Sequence, residues 1–229
     1  MLSERAAGGE IILPLGREAC YNGNDGLFRQ FTLEVTAMAV EYELKYRATP
    51  EVLKKIQDDF PGEYTVTEMT TTYYDTPNGD LAKLFWTLRH RQEGDKHICT
   101  LKTPSGVEGR SEFEWSSEHI DAAIPHLCRL SGSNALAQLA ERGLVATCGA
   151  RFTRTARKMI AGSTMVELAL DCGVLLGGNR EEAFAEVEVE LKQGYREETD
   201  VMGFLLREAY GLTVENRSKF VRAKALGAK

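Results

Sequence analysis

The sequence lacks the paired cysteines and histidines that mark disulfide-stabilised or zinc-binding proteins. Its five cysteines are widely spaced and never form a CxxC pair, and its four histidines form neither an HxH nor an HExxH motif. An odd number of scattered cysteines argues against a disulfide framework, and the missing motifs argue against a zinc site. The cysteine pattern therefore predicts a reduced, cytoplasmic protein.

The chain also lacks an excess of positive charge and a long apolar segment. Its 28 lysines and arginines are outnumbered by 34 aspartates and glutamates, which gives a net charge of −6. A net negative protein is a poor candidate for binding nucleic acid or an anionic membrane. Because no run of about 18 apolar residues occurs, the sequence predicts no membrane-spanning helix. We therefore expect neither a nucleic-acid nor a membrane partner, and the sequence leaves the oligomeric state open.

Residues 1–37 are glycine-rich and show neither helical nor strand periodicity. They also lack the charged and apolar regions of a secretion signal. Met38 lies directly before the first strongly patterned segment, and the residues before it can be encoded by a ribosome-binding site. We therefore interpret residues 1–37 as a leader without function or a disordered arm, and residues 38–229 as one folded domain. A native mass spectrum beginning before Met38 would favour a genuine arm.

From Val40 onward, polar and apolar residues alternate in many short segments, as in strands with one covered face. Helices are predicted at 50–60, 117–130, 133–142 and 198–210. Strands are predicted at 41–46, 64–74, 86–91, 97–102, 110–115, 146–160, 165–170, 174–176 and 184–192. We predict an α+β fold in which an eight-stranded antiparallel β-barrel forms a tunnel with flanking helices, a size that can enclose one small ligand.

Charged residues recur at every second position on several of these strands. On a single strand, a charged face is most simply explained as a solvated surface. Three successive glutamates, Glu186, Glu188 and Glu190, would however repel one another there, and a divalent cation removes that repulsion. Arginines and lysines on other strands suit phosphate oxygens. Together these groups predict a site for metal-assisted phosphoryl transfer.

These charged segments resemble the signature of a known family. Glu41-Tyr42-Glu43-Leu44-Lys45 is similar to the ExExK motif of the CYTH superfamily, the triphosphate tunnel metalloenzymes. The other segments follow in the order of that family: Tyr73–Pro77, Leu88–Arg91, Thr100–Lys102, Arg110–Glu112, Phe152–Arg154, Glu167–Asp171, Glu186–Lys192 and Ser218–Phe220. The resemblance runs from about Val40 to Arg222, and the last strand segments look most like those of bacterial inorganic triphosphatases.

The resemblance implies a role for each charged position. Divalent metal ions, Mg²⁺ or Mn²⁺, would be held by Glu41, Glu43, Glu188 and Glu190. The triphosphate would be bound by Lys45, Arg89, Arg91, Lys102, Arg110, Arg154 and Lys219. Supporting residues, which orient these cations or bind metal through water, would be Glu112, Glu167 and Asp171. Glu41, Glu43 and Lys45 are the expected catalytic residues, whereas we interpret Glu186 as structural, at the tunnel mouth, and His90 as a packing residue.

The resemblance also implies an activity. It implies that the protein is an enzyme that hydrolyses inorganic triphosphate, or a related triphosphate-containing small molecule, inside the tunnel. The alternatives are a class IV-type adenylate cyclase, which converts ATP to cyclic AMP and pyrophosphate, a thiamine triphosphatase, and a non-catalytic polyphosphate-binding module. The sequence does not choose among these substrates or between the two metals.

Overall fold

Segments of alternating polar and apolar residues form the strands of the computed structural model, which describes residues 42–105 and 109–227. The strands are β1 (Glu43–Arg47), β2 (Thr65–Asp75), β3 (Thr87–Glu93), β4 (Lys96–Ser105), β5 (Gly109–Ser116), β6 (Val145–Ala161), β7 (Thr164–Gly177), β8 (Arg180–Gln193) and β9 (Thr213–Val214). The prediction that residues 1–37 are a leader or arm lies outside the described residues, as does Glu41, and both stay predictions.

The strands form one antiparallel sheet in the order β5-β4-β3-β2-β6-β7-β8-β1-β9. The predicted antiparallel sheet with flanking helices is thereby confirmed. The strand count differs from eight because a two-residue strand, β9, pairs with β1 through Tyr46 and Arg47. The two short strands predicted at 165–170 and 174–176 are one continuous strand, β7. Within the described residues, the sheet has β5 and β9 as its edges, and no pairing between them closes a barrel.

Six helices flank the sheet in the described ranges: α1 (Pro50–Asp59), α2 (Asp80–Lys83), α3 (Ile120–Ser131), α4 (Ala135–Ala140), α5 (Arg196–Tyr210) and α6 (Lys219–Gly227). Helix α1 begins as predicted, with Pro50 in its first turn and the Thr49 hydroxyl accepting from the Val52 backbone N–H. The sequence analysis missed α2, which follows turn-forming residues and is held by the Asp75 carboxylate. That carboxylate accepts from the backbone N–H of Leu81 at 2.8 Å.

The apolar face of the sheet is covered by helices in two places. Leu168 and Val189 lie in one buried cluster with residues of α1 and α5. Leu88 and Leu101 lie in a second cluster with residues of α3 and α4. Burying each such side chain stabilises the fold by about 1.5–3 kcal/mol. Because strand side chains alternate between the two faces, this coverage directs the charged residues to the opposite face.

Helix α6 lies on the opposite face, at one end of the sheet. There the face changes from charged to apolar, since a third buried cluster contains Ala150, Phe152 and Leu175 together with Ala223 and Leu226 of α6. Helix α6 approaches β7 so closely that a Cβ added to Gly177 would collide with the carbonyl oxygen of Ala223. The aromatic and aliphatic residues at this end therefore fix α6 against the charged part of the face.

On the helix-covered face, His90 and His97 form a pair whose Nε2 and Nδ1 atoms lie 3.1 Å apart. Burial, followed by the charges of His97 and His119, lowers the pKa of His90. The neutral ring is thus favoured in the folded protein, so stability is retained above about pH 6.5 and is lost as the pH falls. Solvent screening of these partly exposed rings limits the loss to less than about 1 kcal/mol.

This pH dependence is expected to be weaker in His97→Asn. The variant removes the second ring, whose charge helps to lower the pKa of His90. Urea denaturation of both proteins at about pH 7.5 and pH 5.5 measures the effect. Identical losses of unfolding free energy in the two proteins would contradict this assignment.

Candidate active site

Strand register places the charged residues side by side on the face of the sheet opposite helices α1, α3, α4 and α5. Glu43 is paired with Glu190, and Lys45 with Glu188, across β1 and β8. Across the next two pairs of strands, Glu186 faces Asp171 and Asp171 faces Arg154. Residues opposite each other in a sheet have neighbouring side chains. The antiparallel pairing therefore gathers residues from four strands into one charged surface.

The most buried part of this surface is a cluster of three carboxylates around one lysine. The ammonium of Lys219, at the start of α6, lies 2.7 Å from Asp171 and 2.8 Å from Glu188, and it also contacts Glu186. Arg154 donates to both oxygens of Asp171, at 2.8 and 2.7 Å, and to Glu188. We call this group, Arg154, Asp171, Glu186, Glu188 and Lys219, the inner cluster.

For Glu188 and Lys219 of the inner cluster, charge pairing outweighs the effect of burial on the pKa, whereas for Glu186 burial prevails. Burial alone would raise the pKa of Glu188, but Lys219, Arg154 and Lys45 hold it well below its ordinary value. The pKa of Lys219 is raised, since the three carboxylates oppose the effect of burial. The pKa of Glu186 is raised by burial, against the attraction of Lys219 and Arg222. Lys219 and Glu188 are therefore both charged at neutral pH.

From the sequence, Glu186 is interpreted as a structural residue at the tunnel mouth, and that location stays a prediction. Its side chain is fully buried beneath α6, where it accepts a hydrogen bond from Arg222. The sequence analysis missed Arg222, although it lies one helical turn after Lys219 and shares a helix face with it. It also missed the aromatic rings near Lys219, whose ammonium lies 4.9 Å from the Phe152 centroid and 5.4 Å from that of Phe184. These contacts hold Lys219 in the cluster.

The carboxylates are suited to a divalent cation. Ligand oxygens of Asp171, Glu186 and Glu188 all lie within 4.8 Å of one another. Oxygen-only donor sets of this kind prefer hard cations. Nearer the start of β1, Glu43 bonds Lys45 at 2.9 Å and Glu190 contacts Lys192 at 2.6 Å. The predicted metal ligands Glu43, Glu188 and Glu190 are thus brought onto one surface, while Glu41 lies outside the described residues.

The second half of the charged surface lies on β3, β4 and β5. Glu112 lies between two predicted phosphate-binding residues, 3.1 Å from Arg89 and 2.9 Å from Lys102. Arg91 contacts Glu93 at the end of its own strand. Arg110 instead donates to the Phe85 carbonyl and to the Thr87 hydroxyl, at 2.9 and 3.2 Å. The predicted cations therefore divide into two groups, one around the inner cluster and one on β3, β4 and β5.

Glu167 and a lysine that the sequence analysis missed lie beyond the inner cluster. Glu167 is 3.8 Å from Lys192 and is paired across the strands with Lys158. Lys158 shares the face of Arg154, four residues earlier on β6. Extending the alternation along β6 would have revealed it.

Carboxylates neutralise many cations of the surface. Ion pairs are made by Lys45, Arg89, Arg91, Lys102, Arg154 and Lys219. The positive charge of a paired cation therefore becomes available to an incoming anion when the anion displaces the carboxylate beside that cation. It also becomes available when a further cation neutralises the carboxylate. The surface differs in this respect from a simple basic patch.

A family comparison fits this arrangement of charged strands. The model of the CYTH domain matches residues 39–223. The chain belongs to the CYTH domain family. An inorganic triphosphatase from Haemophilus influenzae is 31% identical to this CYTH chain over an alignment of 166 residues, and the match covers 69% of the chain and 46% of the relative. The chain therefore spans about half the length of the curated relative that it matches.

Solved structures with the same fold come from distant organisms. A Hippeastrum protein, described as an adenylyl cyclase candidate with a dominant triphosphatase activity, has a TM-score of 0.56 at 20% identity, covering 82% of this chain and 96% of its own. A Pyrococcus horikoshii protein has a TM-score of 0.54 at 24% identity, with 82% and 99% covered. These likenesses show the fold of the CYTH domain.

Among the described helices, none is both long and apolar enough to cross a membrane.

Proposed function

We propose that this CYTH domain hydrolyses a phosphoanhydride bond of a triphosphate with the help of a divalent metal ion. The observation that carries the proposal is the inner cluster, where Lys219 and Arg154 lie among carboxylates on the charged surface. Membership of the family, the relative named inorganic triphosphatase and the triphosphatase activity described for the Hippeastrum protein support the same conclusion. Inorganic triphosphate is the proposed substrate.

The residues fit a resident metal ion because the donor set consists of carboxylates. Glu43, Glu188 and Glu190, with Glu41, would hold Mg²⁺ or Mn²⁺, which neutralises phosphate charge and lowers the pKa of a bound water. The near balance of charges on the surface explains why metal is needed. A triphosphate carries several negative charges, and the paired cations alone offer it little net attraction.

The side chains of the chain bind and orient the substrate. Lys45, Arg154 and Lys219 are placed to bind the terminal phosphoryl oxygens, with the planar guanidinium of Arg154 able to make two parallel hydrogen bonds. Arg89 and Lys102, held by Glu112, bind the rest of the phosphate chain. Charge that builds up on phosphoryl oxygens in the transition state is stabilised by these fixed cations without further rearrangement. Water attack then yields pyrophosphate and orthophosphate.

Glu43→Gln tests the metal-binding assignment. We expect phosphate release from inorganic triphosphate to fall about 100-fold, since one carboxylate ligand is lost while the side chain shape is kept. The fold should be unchanged because Glu43 is exposed at the start of β1. Phosphate release with Mg²⁺, with Mn²⁺ and with EDTA measures the effect. Glu208→Gln on the exposed side of α5 is the matched control, and equal rates in the two variants would refute the assignment.

Product analysis separates this proposal from its alternatives. Incubating the protein with inorganic triphosphate, ATP or thiamine triphosphate, and measuring phosphate, pyrophosphate and cyclic AMP, identifies the reaction. Cyclic AMP with pyrophosphate from ATP would indicate a cyclase, and binding without turnover would indicate a polyphosphate-binding module. The cytoplasmic location and the absence of nucleic-acid and membrane partners stay predictions of the sequence.

A further inference from the structure

Glu215, directly after β9, is a buried carboxylate with two arginine partners. Its side chain is 3% exposed, and glutamates are almost never buried to this extent unless they are paired. It accepts from Nε of Arg47 at 2.6 Å, and its two oxygens accept from Nε and a terminal nitrogen of Arg217, each at 3.1 Å. We call Arg47, Glu215 and Arg217 the Glu215 cluster.

The Glu215 cluster joins β1 to the segment that leads into α6. The backbone N–H of Glu215 donates to the Lys45 carbonyl at 2.9 Å, and its carboxylate binds Arg47, two residues further along β1. The same carboxylate accepts from the backbone N–H of Arg217 at 3.0 Å, which fixes the turn two residues before Lys219. One glutamate therefore connects the strand that carries Lys45 with the start of the helix that carries Lys219.

Stability alone does not require this arrangement. A buried carboxylate loses its hydration, and apolar residues of similar size often serve a fold equally well. Hydrogen bonds, first from Arg217 and then from Arg47, lower the pKa of Glu215 to about 2, so the carboxylate is charged at neutral pH. Charged, two-pronged hydrogen bonds to a guanidinium have a narrow range of favourable geometries. The cluster is thus suited to fixing the elements that it joins.

Two cations of the candidate active site lie on the elements that the Glu215 cluster joins. Lys45 on β1 and Lys219 on α6 both help to hold the pKa of Glu188 low. The two ammonium groups also repel each other, so their spacing depends on how firmly β1 and α6 are held. Glu215 lines a cavity together with Glu43 and Lys45, which places the cluster directly beside the site.

We propose that Glu215 is a positioning residue that sets the spacing of Lys45 and Lys219 for the phosphate oxygens of the substrate. The proposal rests on the proposed function, in which both lysines bind the terminal phosphoryl group. Glu215 acts through Arg47, Arg217 and the backbone rather than by touching the substrate. Cations stabilise a transition state best when they are fixed in place before the reaction, and a displacement of about 1 Å can cost about 100-fold in rate.

Binding calorimetry separates positioning from simple electrostatics, because the two predict opposite signs. Glu215→Gln removes a negative charge beside a site for a polyanion, which by charge alone should strengthen binding. If the carboxylate positions the two lysines, affinity for the bis-methylene analogue of inorganic triphosphate, with Mg²⁺, should instead fall about tenfold, the effect of losing roughly one charge-assisted hydrogen bond. The kcat for phosphate release from inorganic triphosphate should fall in the same variant.

Arg217→Gln tests the connection to α6 with a side chain that is about half exposed, so the proposal stays testable if Glu215→Gln does not fold. We expect the same fall in affinity, and no further fall in the double variant, because both residues act through one connection. Urea denaturation establishes that each variant is folded in the binding assay, so that unfolding cannot imitate lost affinity.

Glu181→Gln is the matched control for Glu215→Gln. Glu181 also pairs with an arginine, Arg151 at 2.8 Å, but both side chains are 57% exposed. This substitution removes the same charge without loosening β1 or α6, so affinity for the analogue should be unchanged.

Unchanged or raised affinity in Glu215→Gln and Arg217→Gln would overturn the proposal, as would additive losses in the double variant or failure of the unaltered protein to bind the analogue. Affinity lost in both variants of a protein that releases no phosphate would support positioning while refuting the proposed hydrolysis. Hydrolysis by the unaltered protein, with unchanged affinities in the variants, would refute positioning alone.

Discussion

Replacing Lys219 by methionine is expected to lower the free energy of unfolding by about 3–5 kcal/mol at neutral pH. The Lys219 ammonium is shared by three carboxylates, of which Asp171 and Glu186 are fully buried. Without it, these carboxylates would face one another in a poorly solvated region, where Arg154, Arg222 and Lys45 would be left to balance their charge. Urea denaturation measures the loss, and triphosphate hydrolysis should be abolished in the same variant.

The pH dependence of this loss identifies its electrostatic origin. In the intact protein Lys219 helps to keep the pKa of Glu188 low, so the stability it contributes is present above about pH 4.5 and is lost as the pH falls. In Lys219→Met the carboxylates can take up protons at higher pH, which relieves their repulsion. The difference between the two proteins should therefore narrow between about pH 7 and pH 5.

Lys192→Met is the matched control for Lys219→Met. Lys192 also pairs with a glutamate, Glu190 at 2.6 Å, but its side chain is 31% exposed, against 10% for Lys219. Solvent screening should limit the cost of this substitution to less than about 1 kcal/mol. Equal losses in the two variants would show that burial of the inner cluster does not govern its energetics.

Gly177→Ala is expected to destabilise the protein by about 3 kcal/mol and to loosen α6. The new Cβ would collide with the backbone oxygen of Ala223 and lie 2.8 Å from the Cβ of Leu226. A backbone oxygen cannot rotate away as a flexible side chain can, so α6 must shift, and Lys219 shifts with it. Denaturation and amide hydrogen exchange in α6 measure the two effects.

Gly94→Ala separates this collision from the general cost of replacing a glycine. Gly94 has φ of 57° and no atom within 4 Å of an added Cβ, so the expected loss is about 1–2 kcal/mol of conformational strain alone. Only Gly177→Ala should speed amide exchange in α6. If both variants exchange alike in this helix, then close packing at Gly177 does not hold α6 in place.

The alternation of residues predicted most of the fold because each strand carries its own two-faced pattern. Both faces of β8, for example, follow from its sequence alone, with glutamates on one side and Val187 and Val189 on the other. Helix α2 was missed because it has only four residues and is held by the Asp75 carboxylate, a contact that the local pattern of polar and apolar residues does not show. Phe85, directly after α2, has a positive φ of 58°. This was also unforeseen, since Leu84-Phe85-Trp86 contains no turn-forming residue.

The partners within the candidate site were harder to predict. Glu186, Glu188 and Glu190 have the same local pattern, yet the first bonds Arg222, the second Arg154 and the third Lys192. These choices depend on the register of β8 against its neighbours and on where α6 packs, which involve residues far apart in the sequence. The sequence therefore identified the charged surface but not the distribution of its charges.

The edges that the sheet has among the described residues bear on aggregation. Strand β5 is an edge within the described residues, and an exposed edge invites pairing with another molecule and aggregation. Its side chains include Arg110, Glu112 and Glu114, whose charges would have to be brought together or desolvated in such a pairing. At the opposite edge, β9 is only two residues long and offers few free backbone groups. The charges on β5, where we propose phosphate binding, thus also disfavour the formation of extended sheets.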